Sequence, residues 1–304
     1  MVGRMVLRSR SSSLGVAAVL GACVFWSFGG VLGKATRVSG VTLGFWRMWF
    51  ATVILSVIVV VARKVPTRSD LRGAALLGVL FGLNICSFFE ALQHLNVAVA
   101  LVIGSLTPVV ALPIAVVWMG ERLTALKVLC AVAAVAGVVV SVLATPSGKD
   151  SGNSAIGYVW AVVSLFVWVA YLLVAKRARR NVETLQLMWV LSFVGALTVS
   201  LLALAFRTDL GQMQGSDWWW VLLLALGPGI LGHGLLTWAQ PRVDASVTSV
   251  LIQAEPVGAA IAAWVFLGER VSLVQGLSMV VVLAALAALA YSESRTVPVD
   301  EVPL

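Results

Sequence analysis

Residues 243–270 read VDASVTSVLIQAEPVGAAIAAWVFLGER, and residues 95–122 read LNVAVALVIGSLTPVVALPIAVVWMGER. The two stretches align without a gap at an offset of 148 residues. Val99, Val102, Pro108, Val109, Ala111, Gly120, Glu121 and Arg122 recur as Val247, Val250, Pro256, Val257, Ala259, Gly268, Glu269 and Arg270. The second copy carries one acid, Glu255, directly before its proline, and that acid is the only charge in the apolar run from Ala245 to Leu267. A carboxylate is costly to remove from water, and a proline costs a helix one hydrogen bond. Why both stand at one point depends on the solvent in which the run lives.

That solvent is lipid. Of 304 residues, 61% are hydrophobic and 11% charged, against about 25% charged in soluble domains. Apolar runs of roughly 20 residues, enough to cross a bilayer core as a helix, recur from end to end. Ten spans are expected, at 14–33, 41–62, 73–92, 97–119, 123–143, 156–175, 185–206, 218–239, 245–267 and 271–291. The fold class is therefore an all-α integral membrane protein of the cell membrane. Arg4, Arg8 and Arg10 precede a first run that is long for a signal peptide and shows no small-residue cleavage site, so it reads as a retained span. With the N-terminus inside, 15 lysines and arginines fall on the cytoplasmic side and five on the other, which puts both termini in the cytoplasm. The basic residues lie in short loops, not on one face of a soluble domain, so the net charge of +8 does not point to nucleic acid. Cys23, Cys86 and Cys130 sit inside apolar runs with no paired spacing and read as small hydrophobes.

Trp26 and Lys34 are eight residues apart, as are Trp168 and Lys176, so the duplication extends upstream. The expected organisation is a tail at 1–13, a five-span repeat at 14–143, a connection at 144–155, a second five-span repeat at 156–291 and a tail at 292–304. Five is odd, so the second repeat enters the membrane from the opposite side. The charges agree: four basic residues follow span two, and only Arg207 follows span seven. Inverted repeats are the architecture of many secondary transporters, which hold substrate near the midplane where the repeats meet.

Two five-span repeats, each with a mid-span proline and a closing Gly-Glu-Arg, resemble the EamA-type branch of the drug/metabolite transporter superfamily. Supporting stretches are FWSFGGVLGKA in span one, GFWRMWF in span two, FFEALQHLNVAVA across spans three and four, and GHGLLTWAQ before IQAEPVGA. The similarity covers roughly residues 14–291. It implies a ten-helix exporter or exchanger with a central cavity lined by both halves, moving amino acids, small metabolites or organic cations. One departure stands out: Thr107-Pro108 in the first repeat faces Glu255-Pro256 in the second, so the half-sites are not chemically equivalent.

The candidate residues follow from where polarity interrupts the spans. Pro108 and Pro256 each free a backbone carbonyl, expected at Gly104 and Ile252. Matched interruptions in both halves point to a binding site, with a packing kink as the alternative. Glu255, with Thr248 two turns earlier on the same face, is the expected central carboxyl, and Gly258 and Ala262 let a neighbour approach closely. Arg47 in span two and Glu90 near the outer end of span three are expected to pair or share a network, as a static ion pair or as a gate or substrate contact. Asn84 and Phe88 share a face of span three, where Asn84 binds substrate or bridges to another helix. His233 in GPGILGHGLL is a proton acceptor or a packing group. Trp26 and Trp168 are deep and symmetric, which makes them candidates for the cavity wall.

An integral-membrane enzyme and a non-transporting scaffold are the competing classes. An enzyme needs a convergent nucleophile, base or metal set. The two histidines, His94 and His233, stand apart, and no His-Glu-x-x-His or phosphate-binding motif appears. No metal or cofactor is therefore expected. The partners are a small-molecule substrate and the lipid bilayer, with oligomeric state left open and a monomer allowed. An apolar, aromatic core with few basic groups disfavours a doubly charged phosphate as cargo and suits a neutral, zwitterionic or cationic solute.

Overall fold

The structure, a computed structural model, describes residues 2–95, 97–144, 154–178, 182–267 and 272–295. Gly268, Glu269 and Arg270, Lys149 in the connecting loop, and the tail from 296 onward lie outside the described residues. Within them every regular element is helical. The α-helices are α1 (Val2–Trp26), α2 (Gly29–Ala35), α3 (Gly40–Val61), α4 (Arg68–His94), α5 (Val97–Ser105), α6 (Thr107–Met119) and α7 (Ala125–Leu143). They continue as α8 (Ala155–Ala178), α9 (Thr184–Ala205), α10 (Asp217–Leu224), α11 (His233–Ala239), α12 (Ala245–Leu251), α13 (Ala254–Leu267) and α14 (Leu273–Arg295).

These helices make ten spans because four spans are interrupted. Among the described residues nine stretches are long and apolar enough to cross a bilayer, and α7 supplies a shorter apolar tenth. The first runs Ser13–Gly33 and the sixth-span stretch Ala155–Lys176, close to the bounds read from the apolar runs. The outward faces are oily: Val61, Val117, Leu204 and Leu273 are 78%, 88%, 76% and 79% exposed. In water such a surface would drive aggregation; in hydrocarbon it is the natural outer coat.

Local sequence sets where the helices begin. Ser39 caps α3 by accepting from the Thr42 N–H at 3.1 Å. Thr67 and Asp70 form a capping box at the start of α4, meeting N–H groups that the helix itself leaves unpaired. Packing then depends on small residues. A side chain at Gly40 would meet the backbone nitrogen of Glu90 at 2.3 Å, and one at Gly82 would meet the Gly195 carbonyl oxygen at 2.7 Å. Backbone approaches this close bring α3 onto α4 and α4 onto α9. α4 also packs along α8, α1 packs along α11, and α7 pairs with α14.

The interruptions occur where polarity was concentrated in the sequence. Span one breaks at Ser27 and Phe28, span four at Leu106, and span nine at Ile252 and Gln253. Span eight passes through a π-helical turn, Ala225–Gly232, between α10 and α11. Pro108 and Pro256 do not kink continuous helices, which is the alternative reading of their mid-span positions. Each sits in the first turn of a new half-helix, α6 or α13, where a missing N–H costs least. The carbonyls expected to be free are taken locally. The Thr107 hydroxyl donates to the Gly104 oxygen at 2.7 Å, and the Glu255 N–H donates to the Ile252 oxygen at 3.0 Å.

Candidate functional site

The two broken spans meet. Gln253, at the α12–α13 break, donates its side-chain amide to the carbonyl oxygen of Ser105, at the α5–α6 break. The N-terminal turns of α6 and α13, carrying Thr107 and Glu255, both face a central cavity. The wall includes Glu255, Pro256, Thr107, Asn84, Phe88, Trp26, Trp168, His233 and Arg47. The structure thus brings together nine side chains that the sequence singled out separately. Pro108 and Glu90 are not on the wall.

Glu255 is held at the cavity through its backbone. Ser27, at the break in span one, donates its hydroxyl to the Cys23 oxygen at 2.7 Å and lies 3.2 Å from the Glu255 carbonyl oxygen. This contact requires a glycine one turn on: a side chain at Gly258 would stand 2.1 Å from the Ser27 Oγ. Among the described residues no group hydrogen-bonds the Glu255 carboxyl, which faces the cavity.

One side of the cavity is aromatic. The Trp26 and Trp168 rings meet edge to face at 5.7 Å, and the His233 ring lies 4.8 Å from Trp26 and 4.6 Å from Phe81. The π-helical turn turns out the Pro228 carbonyl, which accepts from the Trp26 Nε1 at 3.1 Å. Such turns leave carbonyls available and cluster at functional sites. The Nδ1 of His233 is buried with no hydrogen-bond partner among the described residues. On the facing side, Asn84 donates to the Ser164 hydroxyl at 3.1 Å and to its carbonyl at 3.2 Å. Asn84 therefore bridges α4 to α8 while lining the cavity.

The expected pairing of Arg47 with Glu90 is corrected. One Glu90 carboxylate oxygen accepts from the Val41 N–H at 2.8 Å, and the other lies 3.6 Å from the His94 Nε2. The unpaired N–H groups and positive end of α3 capture the acid. Arg47 stands two turns further along α3, with its guanidinium 5.4 Å from the Phe89 ring centre. It is 4% exposed, and its Nε has no hydrogen-bond partner among the described residues.

A second polar cluster ties the far end of α6. The Glu121 carboxylate accepts from the Ala245 and Ser246 N–H groups at 2.8 and 3.0 Å, capping α12. Lys176 lies 2.9 Å from Glu121 and 3.2 Å from Asp244, which Lys127 approaches at 2.9 Å. Burial pushes the Glu121 and Asp244 carboxyls up, but Lys176 and the hydrogen bonds around them outweigh it, so both lie below their ordinary values.

Sequence reasoning missed Ser27, Ser105, Ser164 and Gln253. Ser105 and Gln253 carried a usable signal, since they occupy the same position of the two aligned stretches. Single serines such as Ser27 and Ser164 carry none, because short hydroxyls often bond within their own helix.

The geometry accords with similarity to known proteins. The model of the EamA-like transporter family matches residues 13–143 and 155–291. An uncharacterised inner membrane transporter of Escherichia coli, YhbE, is 28% identical over 71% of this chain and 69% of its own. An uncharacterised transporter of Archaeoglobus fulgidus is 25% identical over 82% of this chain and 86% of its own. A solved crystal structure superposes with a TM-score of 0.74, at 23% identity, over 95% of this chain and all of that one, which supports the fold. With its family model matched twice along its length, the chain belongs to the EamA-like transporter family and is a multi-pass membrane transporter.

Proposed function

We propose that the central cavity is the substrate site of a secondary transporter that exports a small organic solute by alternating access, with Glu255 as its central carboxyl. The solute is an amino acid, a metabolite or an organic cation. The observation that carries this reading is the junction of two broken spans at Gln253 and Ser105, beside a cavity-facing acid with no protein partner among the described residues. Half-helix N-termini meeting near the middle of a membrane protein are a recurrent way to build a transport site. A carboxyl left without a partner there is suited to a cationic group of the solute or to a proton.

Residues 14–143 and 156–291 act in this reading as repeats of opposite orientation, in the plasma membrane, with both termini cytoplasmic. The pairing of α4 with α8 and of α1 with α11 supports it, since span three of one half meets span one of the other in both cases. Rocking of the halves would open and close each end in turn. The Glu121, Lys176, Asp244 and Lys127 cluster, which joins α6, α8, α12 and α7, is suited to hold one end shut.

Growth protection by overexpression against toxic amino-acid analogues and organic cations, followed by counterflow of the protected compounds in proteoliposomes, tests the proposal. Protein-dependent movement of at least one class is expected. Labelling of a cysteine placed between residues 146 and 154 by an impermeant reagent on intact cells is expected as well. Labelling only after lysis would contradict the orientation.

A further inference from the structure

Arg47 is the fixed cation on the cavity wall, and it is not used by the reading above. It lies inside span two, is almost fully buried, and has no ion-pair partner among the described residues. The acid expected to neutralise it, Glu90, is engaged by the start of α3. Beside Arg47 stand the Phe89 ring and the π-helical turn near Gly229, where an added Cβ would lie 3.7 Å from the Arg47 Nε. His233 lines the same cavity with its Nδ1 unpartnered among the described residues. A buried cation is retained against its desolvation cost when something ionic completes it. A ring face offsets only part of that cost.

We propose that Arg47 is an anion subsite of the cavity, which takes one carboxylate-sized monoanionic group, while Glu255 serves the opposite pole. A planar guanidinium presents its N–H groups as a fork that matches the two oxygens of a carboxylate. Among the cavity-lining residues one arginine stands with one glutamate and one histidine. That charge set matches a single negative charge, not a phosphate with two. The anion is either the carboxylate of the solute, which makes the solute a zwitterion or an acid, or a free inorganic anion such as chloride that travels or rests there. This inference depends on the cavity being the solute site, but its test reads binding and not turnover, so the two can fail separately.

Trp26 and Trp168 line the cavity and supply a fluorescence signal. Purified full-length protein in detergent is titrated with phenylalanine, 3-phenylpropionate and phenethylamine, which share a ring and differ in their charged groups. Each titration is run in sodium chloride and in sodium gluconate. If the solute supplies the anion, the two carboxylates bind about tenfold tighter than the amine. Arg47→Gln removes that preference, and Arg47→Lys keeps part of it. If a free anion occupies the subsite, chloride alters the fluorescence and melting of the wild type but not of Arg47→Gln. Either outcome supports the proposal and names the source. If Arg47→Gln does not fold, Arg47→Lys carries the comparison, with at least about threefold loss expected from the missing fork. The proposal is overturned if neither carboxylates nor chloride show an Arg47-dependent effect, including when both effects persist unchanged in the variants.

Discussion

Gln253 and Ser105 occupy the same position in two stretches 148 residues apart, and the amide of one donates to the carbonyl of the other. The bond joins the two interrupted spans at their breaks and is buried. Gln253→Leu keeps the bulk and leaves the Ser105 carbonyl without its donor. A loss of about 1–3 kcal/mol is expected for an orphaned buried acceptor. It should be read as a lower melting temperature together with slower transport. Unchanged melting would mean that the bond contributes nothing at this junction.

Charge reversal separates the present geometry from an ion pair. Arg47→Glu and Glu90→Arg should each impair the protein, for unrelated reasons: one alters the cavity, the other uncaps α3. The double variant should lose the sum of both effects, because independent sites add. Substantial rescue would restore the pairing that the structure does not contain.

Much of the fold was legible in the sequence because lipid imposes a simple rule. Every backbone group of a span must be satisfied within the helix, so length and apolarity reveal the spans. The bounds around Gly33, Lys176 and Ala239 followed directly. The sites of interruption were also visible, at Pro108 and Pro256, but their form was not. Whether a proline kinks a helix or starts a new one depends on local donors, here the Thr107 hydroxyl and the Glu255 N–H. Nine candidate residues converge on one cavity because intramembrane polarity is costly and so marks where water or solute reaches. Glu90 misled for a physical reason. Depth along a hairpin says two charges are near, yet not which backbone N–H groups compete for the acid.

Gly40 and Gly258 should respond differently to a methyl group. At Gly40 the obstacle is the Glu90 backbone, with nitrogen and Cα at 2.3 and 2.8 Å, which cannot move aside. At Gly258 it is the Ser27 hydroxyl at 2.1 Å. Gly40→Ala is expected to cost about 1–3 kcal/mol or more through overpacking, seen as reduced folded yield. Gly258→Ala should be eased by adding Ser27→Ala, which removes the obstructing atom. Failure of that second change to help would place the strain elsewhere.

The Glu121 cluster gives an acid limb to stability. Its carboxyls have folded values below their ordinary 4.5 and 3.8. A lowered value means that the stabilising contribution is complete above the ordinary value and is lost as pH falls through the folded one. Wild type and Lys176→Met should therefore differ in melting temperature at neutral pH and converge between about pH 4 and about pH 2. A constant difference across that range would show that Lys176 acts through packing alone.

Glu255→Gln in proteoliposomes tests the central claim most directly. The substitution keeps the shape of the side chain at the start of α13 but cannot ionise. With equal amounts reconstituted, transport of a counterflow substrate is measured across pH against the wild type. The account predicts a rate lower by at least about tenfold, the signature of a lost essential interaction, and a flattened pH dependence. A wild-type rate with wild-type pH dependence would contradict it.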